Sequence, residues 1–252
     1  MRANFGPAGN SDSFQKMGYK SFADIPRYVR EMGLDCYEYQ CGRGVKISEE
    51  SAKKLGKLAE EEGITLSVHS PYYISLSGIE EEKRLKSIDY VLQTARAAQA
   101  MGARRIVVHS GSCGKLSREE ALALAKDTLA RCQQALDENG LEQINLNART
   151  FGGIRGKTEF AAILDTMERE LGAERARVFH SHFSKIEYTQ KGGEKMHLTF
   201  ADTLFGPDYE PLMELLAQRG YTPTIICESA GTQAEDARTM KQYYEQCLEQ
   251  RG

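Results

Sequence analysis

Ile64-Thr65-Leu66-Ser67-Val68-His69, a charged helical stretch closed by Gly102, and then Arg105-Ile106-Val107-Val108-His109 decide the fold. Both short runs are apolar and β-branched, and between them lies a helix that stops at a glycine. Working outward, the same unit recurs. Residues 2–5 and 34–39 form strands, with a helix from Ser21 to Gly33 between them and another from Ser48 to Gly63 after them. Ser117 and Glu120 form a capping box that starts the helix ending at Asn139-Gly140. A fifth strand is expected at 141–146, then a loop, a helix over 158–171 and a strand over 177–183. A long loop, a helix over 208–219, a strand over 224–228 and a closing helix over 234–249 complete the chain. Strand, Ser- or Thr-capped helix, then glycine is the signature of parallel βα units.

At 252 residues the chain is close to the roughly 250 typical of one TIM (β/α)8-type barrel. No linker or composition break appears, so residues 1–252 are expected to form a single domain. Counting gives seven strands and seven helices where a closed barrel needs eight of each, and the shortfall falls around residues 146–158. The balance of 33 basic and 36 acidic residues, pI near 6.0, makes no general polyanion magnet, so any nucleic-acid contact must be a local patch. Six scattered cysteines without a CxxC pair point to reduced thiols in a cytoplasmic protein. No signal-peptide core or membrane span is present in the sequence.

Catalytic groups in such barrels gather at the C-terminal ends of the strands. Of five histidines, His69, His109 and His182 end or nearly end strands, Glu228 ends the last, and His197 follows the strand of His182. Alone, each is an ordinary polar residue; together, imidazoles with a carboxylate are a ligand set for zinc or a similar metal. His180, two residues before His182, shares its strand face as an inner neighbour.

The stretches His69-Ser70-Pro71-Tyr72-Tyr73-Ile74-Ser75-Leu76, Val107-Val108-His109-Ser110-Gly111-Ser112 and Ile225-Ile226-Cys227-Glu228 resemble the endonuclease IV family, the AP endonuclease branch of the xylose isomerase-like TIM barrels. His182-Phe183-Ser184-Lys185 with Gly193-Glu194-Lys195-Met196-His197 resembles that family's late His and acidic-x-His motifs. The resemblance spans essentially the whole chain. It implies a tri-zinc phosphodiesterase that cuts duplex DNA on the 5′ side of abasic sites, with DNA repair as its role. By the same resemblance His69 and His109 hold one zinc, His182 and Glu228 a second, and His197 a third, with Glu194 as the acidic partner. Glu228 is then the catalytic residue, acting as a ligand rather than as a general base.

Three departures accompany this. The family's strand-five Glu and its strand-six Asp-x-x-His have no match, and one missing βα unit explains both. Glu194 stands three residues before His197, where the family has an Asp two before. Loss of the bridging carboxylate would impair catalysis. In the family, Tyr72 and Tyr73 match a loop that probes the DNA minor groove; on their own they are also simply loop tyrosines over the barrel mouth. Arg43 and Lys185 are candidate phosphate contacts, or ordinary solvated cations. The glycine-rich loop 150–157 lacks P-loop spacing and is expected to be an ordinary barrel loop. Two rival classes stay open. One is a sugar isomerase or epimerase on the same barrel, using Mn²⁺ or Mg²⁺ on a small sugar substrate. The other is a non-catalytic relic barrel.

Overall fold

A computed structural model describes residues 2–141, 145–149 (backbone only), 154, 156–188 and 194–251. In chain order the elements are β1 (Asn4–Pro7), α1 (Asp12–Lys16), a 3-10 turn (Phe22–Asp24) running into α2 (Ile25–Glu31), β2 (Cys36–Gln40), α3 (Glu49–Glu61), β3 (Thr65–His69), α4 (Glu81–Ala100), β4 (Arg105–His109) and α5 (Arg118–Glu138). Then follow β5 (Asn145–Arg149), α6 (Lys157–Leu171), α7 (Ala173–Ala176), β6 (His180–Phe183), β7 (Lys185–Tyr188), β8 (Glu194–Leu198), α8 (Glu210–Arg219), β9 (Thr224–Cys227) and α9 (Gln233–Glu249). The chain forms two compact units, residues 1–37 with 152–252, and residues 38–151.

In the first unit β9 is the central strand of a parallel sheet ordered β1-β9-β6. Ile225 and Ile226 are fully buried, and α8 and α9 close over the sheet with Leu212, Met213, Leu216, Ala237 and Met240. Tyr244 of α9 packs its ring 5.6 Å from Phe5 and donates its hydroxyl to the Tyr221 carbonyl at 2.8 Å, so its one polar atom is satisfied inside the core. Gly6 of β1 must be glycine: a Cβ there would stand 1.8 Å from the Cys36 carbonyl oxygen. That close approach is held by Asp35, whose carboxylate accepts from the Phe5 amide at 3.1 Å and from Lys241 Nζ at 2.6 Å.

In the second unit the strand order is β2-β3-β4-β5, with β3–β4 and β4–β5 parallel. The helices end as the sequence pattern expects. Gly33, Gly63, Gly102 and Gly140 all take positive φ, between 67° and 74°. The capping box is present: Ser117 Oγ accepts from the Glu120 amide at 3.2 Å, and Glu120 Oε2 accepts from the Ser117 amide at 2.9 Å.

Four expectations need correction. The strand expected over 177–183 begins at His180, behind the unforeseen short helix α7. The fifth strand begins at Asn145, not Leu141. Leu141 instead folds back onto the end of α5, buried, its amide donating to the Leu136 carbonyl at 2.9 Å. The long loop after β6 contains an antiparallel hairpin, β7–β8. The short helix α1 after β1 was not foreseen. Apart from that hairpin, seven strands are present among the described residues. The expected gap around 146–158 falls in part on residues outside the described ones, 150–153 and 155.

Gly56 tests the packing of α3. Replacing a helical glycine with alanine ordinarily stabilises by about 1 kcal/mol. Here the new Cβ would lie 2.3 Å from the Met101 carbonyl oxygen, at the turn that follows α4. Gly56→Ala is therefore expected to lower stability by ~1–3 kcal/mol, the scale of overpacking, measured by urea unfolding. A stabilised variant would show that α3 does not sit against that turn.

Candidate metal centre

In the second unit two imidazoles stand at the ends of adjacent parallel strands. His69 closes β3 and is buried; its Nδ1 lies 2.8 Å from the Ser70 carbonyl oxygen. A carbonyl can only accept, so Nδ1 carries the proton and Nε2 is the acceptor nitrogen, the form in which imidazole binds a metal. The His109 ring, at the end of β4, meets the His69 ring edge-on with centroids 5.0 Å apart. Tyr72 lies over both, 6.4 Å from His69 and 6.3 Å from His109, yet is 60% exposed; Tyr73 is 57% exposed. The Tyr72 amide donates to the Gly42 carbonyl at 3.1 Å, which brings the turn carrying exposed Arg43 beside the tyrosine loop.

Glu38, which sequence reasoning passed over, is a fully buried carboxylate on β2. It accepts from Ser67 Oγ at 2.9 Å and Gln40 Nε2 at 3.3 Å. Its signal was available: an acidic residue inside an apolar strand run, two before the strand's end, is costly unless paired.

In the first unit the β6–β9 ladder pairs His182 with Ile226, and the Glu228 amide donates to the Phe183 carbonyl at 3.0 Å. This brings Glu228 Oε1 to 3.4 Å from His182 Nδ1. The hairpin supplies the next donors: His197 on β8 has Nδ1 3.9 Å from Glu228 Oε2 and Nε2 2.6 Å from Glu194 Oε1. His180 sits one step down β6, its ring centroid 5.7 Å from that of His182. Lys185 is engaged within the fold. Its side chain is buried, and Nζ bonds Asp208 Oδ1 at 2.8 Å and the Asp202 carbonyl at 2.6 Å, so it braces the hairpin rather than facing solvent.

The acidic-x-x-His spacing is absorbed by a bulge. In the hairpin register Glu187 faces Met196 and Tyr188 faces Glu194, so Lys195 is the extra residue on β8. Ile186, opposite His197, and Tyr188, opposite Glu194, share a face, and so therefore do His197 and Glu194. Three residues in sequence here do the work of two.

These donors suit zinc. Tetrahedral zinc with bonds of roughly 2.0–2.1 Å sets its ligand atoms about 3.3 Å apart. The Glu228–His182 pair, at 3.4 Å, already has that separation. Burial pushes the neighbouring Cys41 and Cys227 thiols up to about 12, so both are protonated near neutral pH while no metal is bound. β5 reads Asn-Leu-Asn-Ala-Arg and offers no carboxylate.

The family model described as a xylose isomerase-like TIM barrel matches residues 26–168. An uncharacterized protein of Methanocaldococcus jannaschii is 30% identical over 256 aligned positions, covering 86% of this chain and 90% of that protein. Since 86% of 252 residues is about 217, about 39 aligned positions have no counterpart here, on the order of one βα unit. A protein of Acholeplasma laidlawii named "Probable endonuclease 4" is 30% identical over 119 residues, 44% of this chain and 40% of that protein. Among solved structures, a D-tagatose 3-epimerase-like protein superposes with TM-score 0.69 at 15% identity, covering 98% of this chain and 99% of that one. Endonuclease IV from Thermus thermophilus does so with TM-score 0.63 at 16% identity, covering 99% and 100%. At these identities the structural likeness is one of fold, which endonucleases and sugar epimerases share. No helix among the described residues is long and apolar enough to cross a membrane. With the family model spanning more than half its length, the chain belongs to the xylose isomerase-like TIM barrels.

Proposed function

We propose that this chain is a single-domain, cytoplasmic, zinc-dependent phosphodiesterase that cuts duplex DNA on the 5′ side of abasic sites. The observation that carries this is Tyr72, 60% exposed although its ring lies against two strand-end histidines. An epimerase acting on a small polar sugar gains from an enclosed pocket. An aromatic ring standing proud of a metal-binding pair suits a partner with stacked bases and a vacancy to fill.

His69 and His109 would serve as one ligand pair, His182 with Glu228 as a second, and His197 with Glu194 as a third. Histidine-rich sites with few carboxylates favour zinc over Mg²⁺ or Mn²⁺. Zinc bound there supplies charge neutralisation at phosphoryl oxygens and activates water near neutral pH. Glu228, with its amide fixed by the Phe183 carbonyl, holds its carboxylate between two imidazoles and acts as a ligand rather than a base. Tyr72 and Tyr73 would stack on bases flanking the lesion, and Arg43, on the turn beside them, would take a backbone phosphate. Lys185 contributes by holding the hairpin in place. Because β5 carries no acidic residue, fewer than three ions per chain are expected.

Purified protein is expected to contain zinc and to nick an abasic-site duplex 5′ to the lesion. His69→Ala or His109→Ala should lower bound zinc, measured by elemental analysis, with the far-UV circular dichroism unchanged. Manganese-dependent ketose epimerisation without nicking would instead establish the sugar enzyme, and absence of metal and of both activities the relic barrel.

Tyr72→Ala is expected to weaken binding to an abasic duplex by ~1–3 kcal/mol, the scale of one lost aromatic–base contact, and to intact duplex by less. Fluorescence anisotropy on the two duplexes measures this. Equal losses on both would remove the stacking role.

A further inference from the structure

Both ring nitrogens of His197 are engaged. Nε2 lies 2.6 Å from Glu194 Oε1, and Nδ1 lies 2.6 Å from Ser184 Oγ. Ser184 is the single residue between β6 and β7 and is 4% exposed. A carboxylate can only accept, so in the neutral ring the proton is on Nε2 and the Ser184 hydroxyl donates to Nδ1.

We propose that Ser184 is the positioning residue for His197, holding its ring for metal binding through Nε2 in both loaded and unloaded states. This rests on His197 being a zinc ligand. Imidazole must give up its Nε2 proton to bind there, and a neutral ring then carries its proton on Nδ1. The group facing Nδ1 has to donate in one state and accept in the other. A backbone carbonyl, the partner of His69, can only accept; a hydroxyl does both by rotating its proton. On loading, the neutral ring would release its Nε2 proton to solvent and take one from solvent at Nδ1, while the Ser184 proton turns away from the ring. The bulge at Lys195 puts Glu194 on the same face, so the carboxylate that holds the Nε2 proton is itself a second donor to the incoming ion. Hydrogen-bond partners of metal-bound histidines commonly change metal affinity 10–100-fold.

Ser184→Ala and Ser184→Thr decide the matter. Zinc affinity, measured by competition with a chromophoric chelator, is expected to fall 10–100-fold in Ser184→Ala and to return to within about threefold of the parent in Ser184→Thr. The metal-free melting temperature of Ser184→Thr should match that of the parent. Nitrogen-15 NMR of the metal-free protein provides a readout independent of zinc: with Glu194 keeping Nε2 protonated, the His197 Nδ1 resonance should move from that of a hydrogen-bonded nitrogen in the parent to that of one without a donor in Ser184→Ala. Unchanged zinc affinity in Ser184→Ala, or an unchanged Nδ1 resonance, overturns the proposal. If the parent binds no zinc, the metal-site assignment fails, and the Nδ1 shift alone then shows whether Ser184 orients the ring.

Discussion

A carboxylate taken out of water at the end of a core strand cannot remain charged without partners. Glu228 follows directly on β9, whose isoleucines are fully buried, and desolvation there would cost several kcal/mol were the charge uncompensated. Much of the surrounding architecture meets that demand. The β6–β9 ladder sets His182 beside it, and the β7–β8 hairpin folds over to deliver His197. The hairpin is in turn fastened at its base by Lys185 to Asp208 and the Asp202 carbonyl. Chains of this kind are costly when half complete, since each polar group depends on the next for its own satisfaction.

The second unit solves a similar problem with less apparatus. His69 and His109 come together because parallel pairing puts the ends of β3 and β4 side by side, and a main-chain carbonyl fixes the His69 tautomer. The same strand carries Ser67, whose hydroxyl serves the buried Glu38. One strand thus satisfies a buried acid at its middle and presents an imidazole at its end, alternate residues sharing a face.

Most of this was legible in the sequence wherever one local rule governed the outcome. β4 appears at 105–109 as expected, because the β-branched run Ile106-Val107-Val108 between a helix-ending glycine and a polar loop has no competing interpretation. The capping box at Ser117 and the helix-stopping glycines are similarly local. Strand five was misplaced because Leu141, an apolar residue after Asn-Gly, looks like a strand start; tertiary packing uses it to seal the end of α5. The hairpin was missed because its register depends on a bulge, and nothing in the string Glu-Lys-Met-His announces that Lys195 is set aside. Ser184 stood inside the late histidine motif without a part of its own: an isolated serine has no periodicity, and its contact with His197 exists only once β8 lies across from it. Lys185 resembled a surface cation because its acceptors, the Asp202 carbonyl and the Asp208 carboxylate, lie seventeen and twenty-three residues further along the chain.

The contrast between His69 and His197 bears on how the site can change over time. The acceptor that orients His69 belongs to the main chain, and every amino acid at position 70 would supply the same oxygen. That half of the chemistry is shielded from point mutation except at the histidine itself. The orientation of His197 rests on two side chains, the Ser184 hydroxyl and the Glu194 carboxylate, and a single-residue replacement can delete either. Drift would therefore begin at the hairpin, and the strand-end pair of the other unit would be the last part of the signature to fade.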